Sequence, residues 1–438
     1  KLIGSLYYND VRKSTNGGST FASATTDLTD VGSGLGPFIT QIGKSNSDPD
    51  LLFVVGSTGV WRTDNFAENW TQFKIAASNW GFGTGAKAEI SIADPQTVWA
   101  GIRMSNSGTT GKIHVSTDGG VTFSPTVNFT GATLGRLSGL ASHPTQPRTG
   151  YALFSFAKTP KILRTTDLGQ TWQDISGFGS GTASTNGFPD VATYCLLVMP
   201  QNPNEIWAGT EIGLFISTNN GVSWSYANDA LPAVAIWQLR ATDDEVVAAT
   251  HGRGIWSVKI PALLTAPPVT TTLSPRLNKP AQAPDGSLAI NISLRSGYDS
   301  TQVFVKGAKF LTLASNAAVK DTVVQFQIAK AESLTMSVTS FKAGRQYGSP
   351  VRGMNVLLPQ APRASYVDNF NTATTNFTSS GFTLQTPTGF LNPAYHTSHP
   401  YSNNRTYTLT LNIPIIVQAS NAFVRFDEIA IVEPGEPG

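Results

Sequence analysis

The sequence predicts an all-β chain of several domains, and three observations carry that expectation. Charged residues make up only 13% of the 438 positions, against 41 Gly and 26 Pro. A strand-and-turn cycle recurs through the first 262 residues, and period-2 apolar patterning marks most of the remainder. Such a composition favours short strands joined by turns over helices. A chain of this length exceeds what one core organises, so two or three domains are expected.

The same numbers exclude several classes of function. A formal net charge of +2 with no basic run provides no field for a phosphate backbone, so nucleic acid is not an expected partner. The longest apolar stretches, such as residues 413–417, fall far short of the roughly 20 residues of a helical membrane span. A single cysteine, Cys195, rules out an internal disulfide and lies in an apolar run that suits a buried thiol. Lys1 opens the chain without a Met or a leader-like segment, so the numbering describes a processed or excised piece.

Five copies of one short pattern organise residues 1–262: STNGGSTF ending at Phe21, TDNFAENW at Trp70, STDGGVTF at Phe123, TTDLGQTW at Trp172 and STNNGVSW at Trp224. They recur about every 50 residues. Each follows a strand-like run (VRK, GVWR, KIHV, KILR, GLFI). Upstream of four copies lie an apolar segment, a Pro-containing turn (SDPD, ADPQ, HPTQP, NPNE) and a further strand. Four strands per cycle of this length describe the blade of a β-propeller. Residues 245–260 match the second and third strands of a closing blade, and the chain begins inside a second strand, so blades upstream of Lys1 are expected.

The repeated turn resembles the Asp-box, or BNR repeat, of sialidases, sortilin-like receptors and xyloglucan-cleaving propellers. Its key positions here are Asn16, Asn65, Asp118, Asp167 and Asn219. A side-chain oxygen at that position accepts backbone N–H groups within the turn, glycine supplies positive φ, and the aromatic ring packs beneath. All three roles are structural. The second copy drifts, with Asn65 and Ala67 where Asp and Gly are typical.

Residues 263–277, rich in Pro and Thr, read as a linker. Residues 278–359 carry five alternating runs, which fit an immunoglobulin-like β-sandwich and resemble a fibronectin type III module. Residues 360–438, with HTSHPY, NIPIIV and FDEIAIVEPGE, resemble the opening half of a jelly-roll module found behind propellers in large surface proteins of gliding bacteria and their relatives. That resemblance implies a bacterial, secreted or cell-surface protein exported by the type IX route, with further domains on both sides. Ser300 and Thr322 sit in short Asp-Ser/Thr triplets similar to those such bacteria O-glycosylate, although the pattern is weak and ordinary turn and strand roles are the favoured account.

No arginine triad or Tyr–Glu pair of a sialidase is recognisable. Asp48, Asp94 and His143 occupy the first-to-second strand turns, where capping explains them. The loops expected on the opposite edge mix small polar residues with Trp80, Phe82, Arg103, Glu211, Trp237, His251 and Arg253. Aromatics among small polar groups suit sugar or peptide ligands, whereas the plain alternative buries Trp237 and Trp256 between blades. Glu211 and Asp190 are candidate carboxylates on that edge. Only His396 and His399 are paired, three residues apart beside a Pro, which suits a loop better than a zinc-binding helix; no cofactor is implied, and a Ca²⁺ site would have to draw on Asp368, Asp427 or Glu428.

The expectation is a non-catalytic adhesin or extracellular scaffold presenting a propeller to carbohydrate or to other surface proteins. The alternatives are a sialidase- or xyloglucanase-like glycoside hydrolase with catalytic residues partly outside this segment, and a sortilin-like peptide-binding propeller.

Overall fold

The structure, a computed structural model, describes residues 1–75, 80, 86–104, 112–227, 231–267, 272–278, 280–283, 287–327, 332–356, 363–386, 388–389, 391–397, 407–417, 420 and 422–427. It forms two compact units. The first comprises Lys1–Asn278, Ile292–Thr322 and Thr335–Arg352, and the second Lys279–Asn291, Val323–Leu334 and Gly353–Gly438.

Six antiparallel sheets follow one another through residues 2–259 of the first unit. The first has strands Leu2–Ser5, Val11–Ser14 and Ala22–Ser23. The second has Gly43–Lys44, Leu52–Gly56, Gly59–Thr63 and Thr71–Lys74. The third has Lys87–Ile90, Val98–Gly101, His114–Ser116 and Ser124–Pro125. The fourth has Gly135–Ser142, Gly150–Phe154, Ile162–Thr165 and Gln173–Asp174, with Arg103–Met104 added to its first strand. The fifth has Thr193–Val198, Ile206–Thr210, Gly213–Ser217 and Ser225–Tyr226, and the sixth Ile236–Thr242, Glu245–Thr250 and Ile255–Lys259.

Each consecutive pair of sheets shares an apolar core, and strand alternation divides the side chains between cores. Leu52 and Val54 pack toward the first sheet with Val11 and Trp61, while Phe53 and Val55 pack toward the third with Ile90, Val98 and Ala100. Tyr151 and Leu153 join the core with the fifth sheet, and Ala152 and Phe154 the core with the third. Apolar residues on both faces explain why LLFVVG and GYALF are continuous apolar runs instead of alternating ones. Successive first strands lie side by side, close enough that a Cβ on Gly139 would meet Tyr194 O at 2.5 Å. Sheets stacked face to face with adjoining first strands are the blades of a propeller.

The five repeated turns share one hydrogen-bond plan. The Ser or Thr that opens each turn accepts the N–H four residues on: Gly18 at 2.9 Å, Ala67 at 3.0 Å, and Gly120, Gly169 and Gly221 at 2.8 Å. Its hydroxyl donates to Asn16, Asn65, Asp118, Asp167 or Asn219. The same Oδ1 accepts the N–H of Thr20, Asn69, Thr122, Thr171 or Ser223. Indole N–H groups of Trp70, Trp172 and Trp224 each donate at 2.8 Å to a carbonyl of the preceding blade, at Ala24, Val127 and Ile175. The aromatic therefore ties neighbouring blades together, a role the turn pattern alone does not reveal.

Beyond the blades, a further sheet has the order Ala308–Leu313, Ser300–Val305, Glu332–Lys342, Arg345–Gly348. Its buried residues include Val303, Met336, Val338 and Tyr347, with Thr301 and Ser340 hydroxyls paired at 2.7 Å. In the second unit, Phe377–Ser380 pairs with Thr408–Leu411 and Phe382–Gln385 with Ala394–Thr397. Tyr366, Phe370, Phe377 and Tyr395 pack edge to face there. Among the described residues, no helix is long and apolar enough to cross a membrane.

Candidate functional site

Antiparallel strand order puts the first-to-second turns and the repeated turns on one edge of the propeller. The second-to-third hairpins and the blade-to-blade connections fall on the other. The second edge carries an aromatic platform. Trp237, near the start of the sixth sheet's first strand, stacks on His251 with ring centroids 5.0 Å apart and planes inclined by 8°. Tyr194, at the matching place in the fifth sheet, stands 6.1 Å from the Trp237 ring. Trp237 remains 52% exposed, so its indole is open to a ligand instead of filling a core. Trp256 is 40% exposed and donates to Arg253 O at 3.0 Å, so neither tryptophan takes the interblade packing role weighed from sequence.

Glu211 occupies the hairpin after Ile206–Thr210 and is exposed. Burial, and then the charge of Glu211, raise the Tyr194 hydroxyl pKa above its ordinary value. Arg253 is exposed in the loop after His251. Five named residues thus gather at the fifth and sixth sheets: Tyr194, Glu211, Trp237, His251 and Arg253.

Other expected ligand residues fall elsewhere. Trp80 is 1% exposed, donates to Gly56 O at 2.8 Å and packs in the core between the second and third sheets, with His114 against its ring edge at 5.8 Å. Its indole is committed to packing and has no open face. Phe82 lies outside the described residues. Arg103 pairs in register with Arg136, which places two exposed arginines opposite each other at the start of the fourth sheet's first strand. Asp190 is the counter-ion of Lys161, a fully buried lysine, at 2.7 Å, and also accepts Lys158 N at 2.8 Å. Desolvation alone would raise the Asp190 pKa, but the bonds from Lys161 and Lys158 outweigh it and hold the carboxyl below its usual range.

Glu89 is the residue that sequence reasoning passed over. It sits on the innermost strand of the third sheet, half-buried, and accepts Ser142 Oγ at 2.9 Å from the neighbouring blade. Burial raises its pKa to about 7, against the opposing pull of the Arg240 charge and the Ser142 bond. Lys87, two residues earlier on the same side of that strand, has its pKa lowered by burial. A carboxylate flanked by the apolar residues of AEISIA was the available signal.

The opposite edge holds the turns expected to be capped by Asp48, Asp94 and His143. Asp48 Oδ1 accepts Asp50 N at 3.3 Å, Asp94 Oδ1 accepts Gln96 N at 3.0 Å, and His143 Nδ1 accepts the N–H groups of Thr145 and Gln146. The acidic pair does more than cap. Arg295 donates to both carboxylate oxygens of Asp48, Arg276 lies 3.6 Å from the same group, and Arg345 meets Asp94 at 2.6 Å. Arg352 completes the set by reaching Asp64 and Asn69 of the drifted second turn, each at 2.5 Å.

Among the described residues, no three His, Cys, Asp or Glu side chains converge as a metal site. Asp368 accepts Tyr366 Oη and Phe370 N, Asp427 is exposed, and Glu428 lies outside the described residues. His396 is half-buried in its strand, and His399 also lies outside. Ser300 opens a strand, Thr322 lies within Lys320–Phe326, and both are half-buried. Cys195 packs beside the core of the fifth and sixth sheets, and burial pushes its thiol up to about 12.

No family model matches the chain, and no curated protein matches it significantly. Solved structures of similar fold include a GH74 xyloglucanase from Xanthomonas campestris, 14% identical over 72% of this chain and 54% of its own, with a TM-score of 0.39. A GH74 enzyme from Niastella koreensis is 14% identical over 95% of this chain and 70% of its own, with a TM-score of 0.35. An extracellular domain from B. thetaiotaomicron is 11% identical over 80% of this chain and 48% of its own, with a TM-score of 0.40. The chain spans about half the length of the first two solved structures it matches.

Proposed function

We propose that the chain is the binding platform of a secreted or cell-surface protein, and that the aromatic group on its fifth and sixth blades engages carbohydrate. The observation that carries this reading is the Trp237–His251 stack, which leaves a large indole half open beside Tyr194, with Glu211 near the Tyr194 hydroxyl and Arg253 exposed in the loop after His251. An open aromatic face stacks on the C–H face of a sugar ring, and nearby charged and polar groups fix its hydroxyls. The repeated turns are Asp-boxes in this reading, and their Asp and Asn side chains hold the scaffold. The fibronectin III-like and jelly-roll-like segments act as spacers of a bacterial adhesin or extracellular scaffold exported by the type IX route, with Ser300 and Thr322 as O-glycosylation positions.

Affinity electrophoresis of the chain against neutral and acidic polysaccharides tests the proposal. Retardation by at least one glycan, reduced tenfold or more in Trp237→Ala while the melting temperature stays within a few degrees, supports it. Equal retardation of both proteins removes the platform from the account.

Glu89 favours a second reading, a glycoside hydrolase. A carboxyl group with a pKa near 7 in a semi-enclosed setting has the protonation state of a general acid at neutral pH. Release of reducing ends from xyloglucan or another polysaccharide, abolished in Glu89→Gln and retained in Trp237→Phe, would establish it.

A further inference from the structure

The edge carrying the repeated turns has a recess of about 290 Å³ between the fourth and fifth blades, lined by His143, Gln146, Tyr151, Arg164, Asn204 and Asn220 among others. Two of its groups, the Tyr151 hydroxyl and the Arg164 guanidinium, face each other and are not fully satisfied. Tyr151 is 1% exposed, and its hydroxyl beside Arg164 makes no aligned hydrogen bond. A buried hydroxyl left unpaired costs about 1–3 kcal/mol unless a ligand or water satisfies it. Arg164 is held by neutral acceptors, with Nη1 donating to Asn220 Oδ1 at 2.6 Å and Asn220 O at 3.2 Å, and Nη2 to Gln173 Oε1 at 2.8 Å. Its Nε has no partner.

Equivalent positions on neighbouring blades sharpen the contrast. On the second and third blades this turn presents a carboxylate, Asp48 or Asp94, and each is met by arginines from beyond the propeller. On the fourth blade, imidazole replaces carboxylate. Because His143 Nδ1 accepts two backbone N–H groups, the neutral ring carries its hydrogen on Nε2. Burial, and then the Arg164 charge, hold the ring neutral by lowering its pKa to about 4. The fourth blade thus keeps the cation that the second blade carries at the equivalent position, Arg62, but offers neutral donors where that blade offers the Asp48 carboxylate.

We infer that this recess binds the carboxylate of an acidic sugar, with Arg164 and the Tyr151 hydroxyl on the carboxylate and the amides of Gln146, Asn204 and Asn220 on the ring hydroxyls. Guanidinium pairs with a planar carboxylate in bidentate fashion. The volume lies near the lower bound of small-ligand pockets, about 300 Å³, and suits one or two sugar rings. A lining of amides and hydroxyls matches a hydroxyl-rich ligand better than an apolar peptide side chain. The site lies on the edge opposite the Trp237 platform and stands independently of it.

Titration calorimetry on the whole chain tests the inference with three probes: a galacturonic acid trisaccharide, the corresponding neutral galactose trisaccharide, and an acetylated tripeptide with a free C-terminal carboxylate. In a Trp237→Ala background, which removes the aromatic platform from the measurement, saturable binding of the acidic trisaccharide alone is expected, weakened at least tenfold by adding Arg164→Gln and three- to tenfold by adding Tyr151→Phe. Tyr151→Phe removes a hydroxyl whose polar neighbour is Arg164 and leaves the buried ring in place, which keeps the test decisive if Arg164→Gln does not fold. Failure to bind the acidic trisaccharide, equal binding of the neutral one, preference for the tripeptide, or an unchanged affinity in Tyr151→Phe overturns the assignment.

Discussion

Arg352 donates to Asp64 at 2.5 Å, joining two buried side chains that lie 288 positions apart in the sequence. The same guanidinium donates to Asn69 at 2.5 Å, so one arginine holds the second repeated turn at two points. That turn is the copy whose sequence drifts. Ala67 adopts a φ of 57° there without glycine, and Phe66, Ala67 and Trp70 are all buried around it. Enclosure by Arg352 supplies restraint that the other copies draw from their own residues.

Removal of one partner from this pair leaves an uncompensated buried charge, which costs about 3–5 kcal/mol. Asp64→Ala and Arg352→Leu should each lower unfolding stability by about that amount in urea titration. The double variant should lose less than the sum of the two. An additive result would show that the side chains act separately.

Asp167 illustrates the repeated turn with a full charge. Desolvation works against its carboxylate, but bonds from Thr171, Thr165 and Gln170 prevail and keep the pKa below its ordinary value. A depressed carboxylate adds stability that is present above the unfolded value near 3.8 and disappears as pH falls through the folded value. Asp167→Asn, which reproduces the side chain at Asn16 and Asn219, should cost under about 1 kcal/mol at pH 7, whereas Asp167→Ala should cost about 1–2 kcal/mol. Denaturation at pH 7 and pH 3 checks both, and the gap between wild type and Asp167→Asn should narrow at the lower pH.

Glu89 carries the opposite sign. A carboxyl raised from 4.5 to about 7 binds its proton more tightly in the folded state. The resulting stability is complete below about pH 4.5 and is lost as pH rises through about 7. Glu89→Gln should therefore flatten the decline of stability between pH 5 and pH 8. Carboxyl-carbon NMR of labelled glutamate reads the midpoint directly, and a titration near the usual Glu value would refute the shift.

Asp190 answers to folding before chemistry. Its replacement by Asn leaves the ammonium of Lys161, fully buried over the Phe178 ring, without its counter-ion. A loss of about 2 kcal/mol is expected, below the figure for a wholly buried pair because Asp190 is 37% exposed. Asp190→Asn combined with Lys161→Met should recover most of that loss in thermal denaturation.

The blades were legible because each needs the same turn at the same interval, and a turn is a local object. Gly120, Gly169 and Gly221 at positive φ, the accepting oxygens and the aromatic are all written within eight residues. The positive φ of Leu168 and Asn220, just before two of those glycines, carries no comparable mark. Nor did Trp80 read differently from Trp237. Both sit among small polar residues, and only the position of the neighbouring blade decides that one is enclosed and the other half open. Arg276, Arg295, Arg345 and Arg352 were missed for a related reason, since an ion pair spanning some 250 positions leaves no periodic trace.

Because alternate side chains of a strand such as Leu52–Gly56 serve two different seams, a substitution there reaches one adjoining blade and spares the other. Damage is thus confined to a single junction. Residues on the edge that carries the aromatic platform, Trp237 among them, can be exchanged one blade at a time while distant blades keep their packing, which leaves this architecture free to acquire new ligands without being rebuilt.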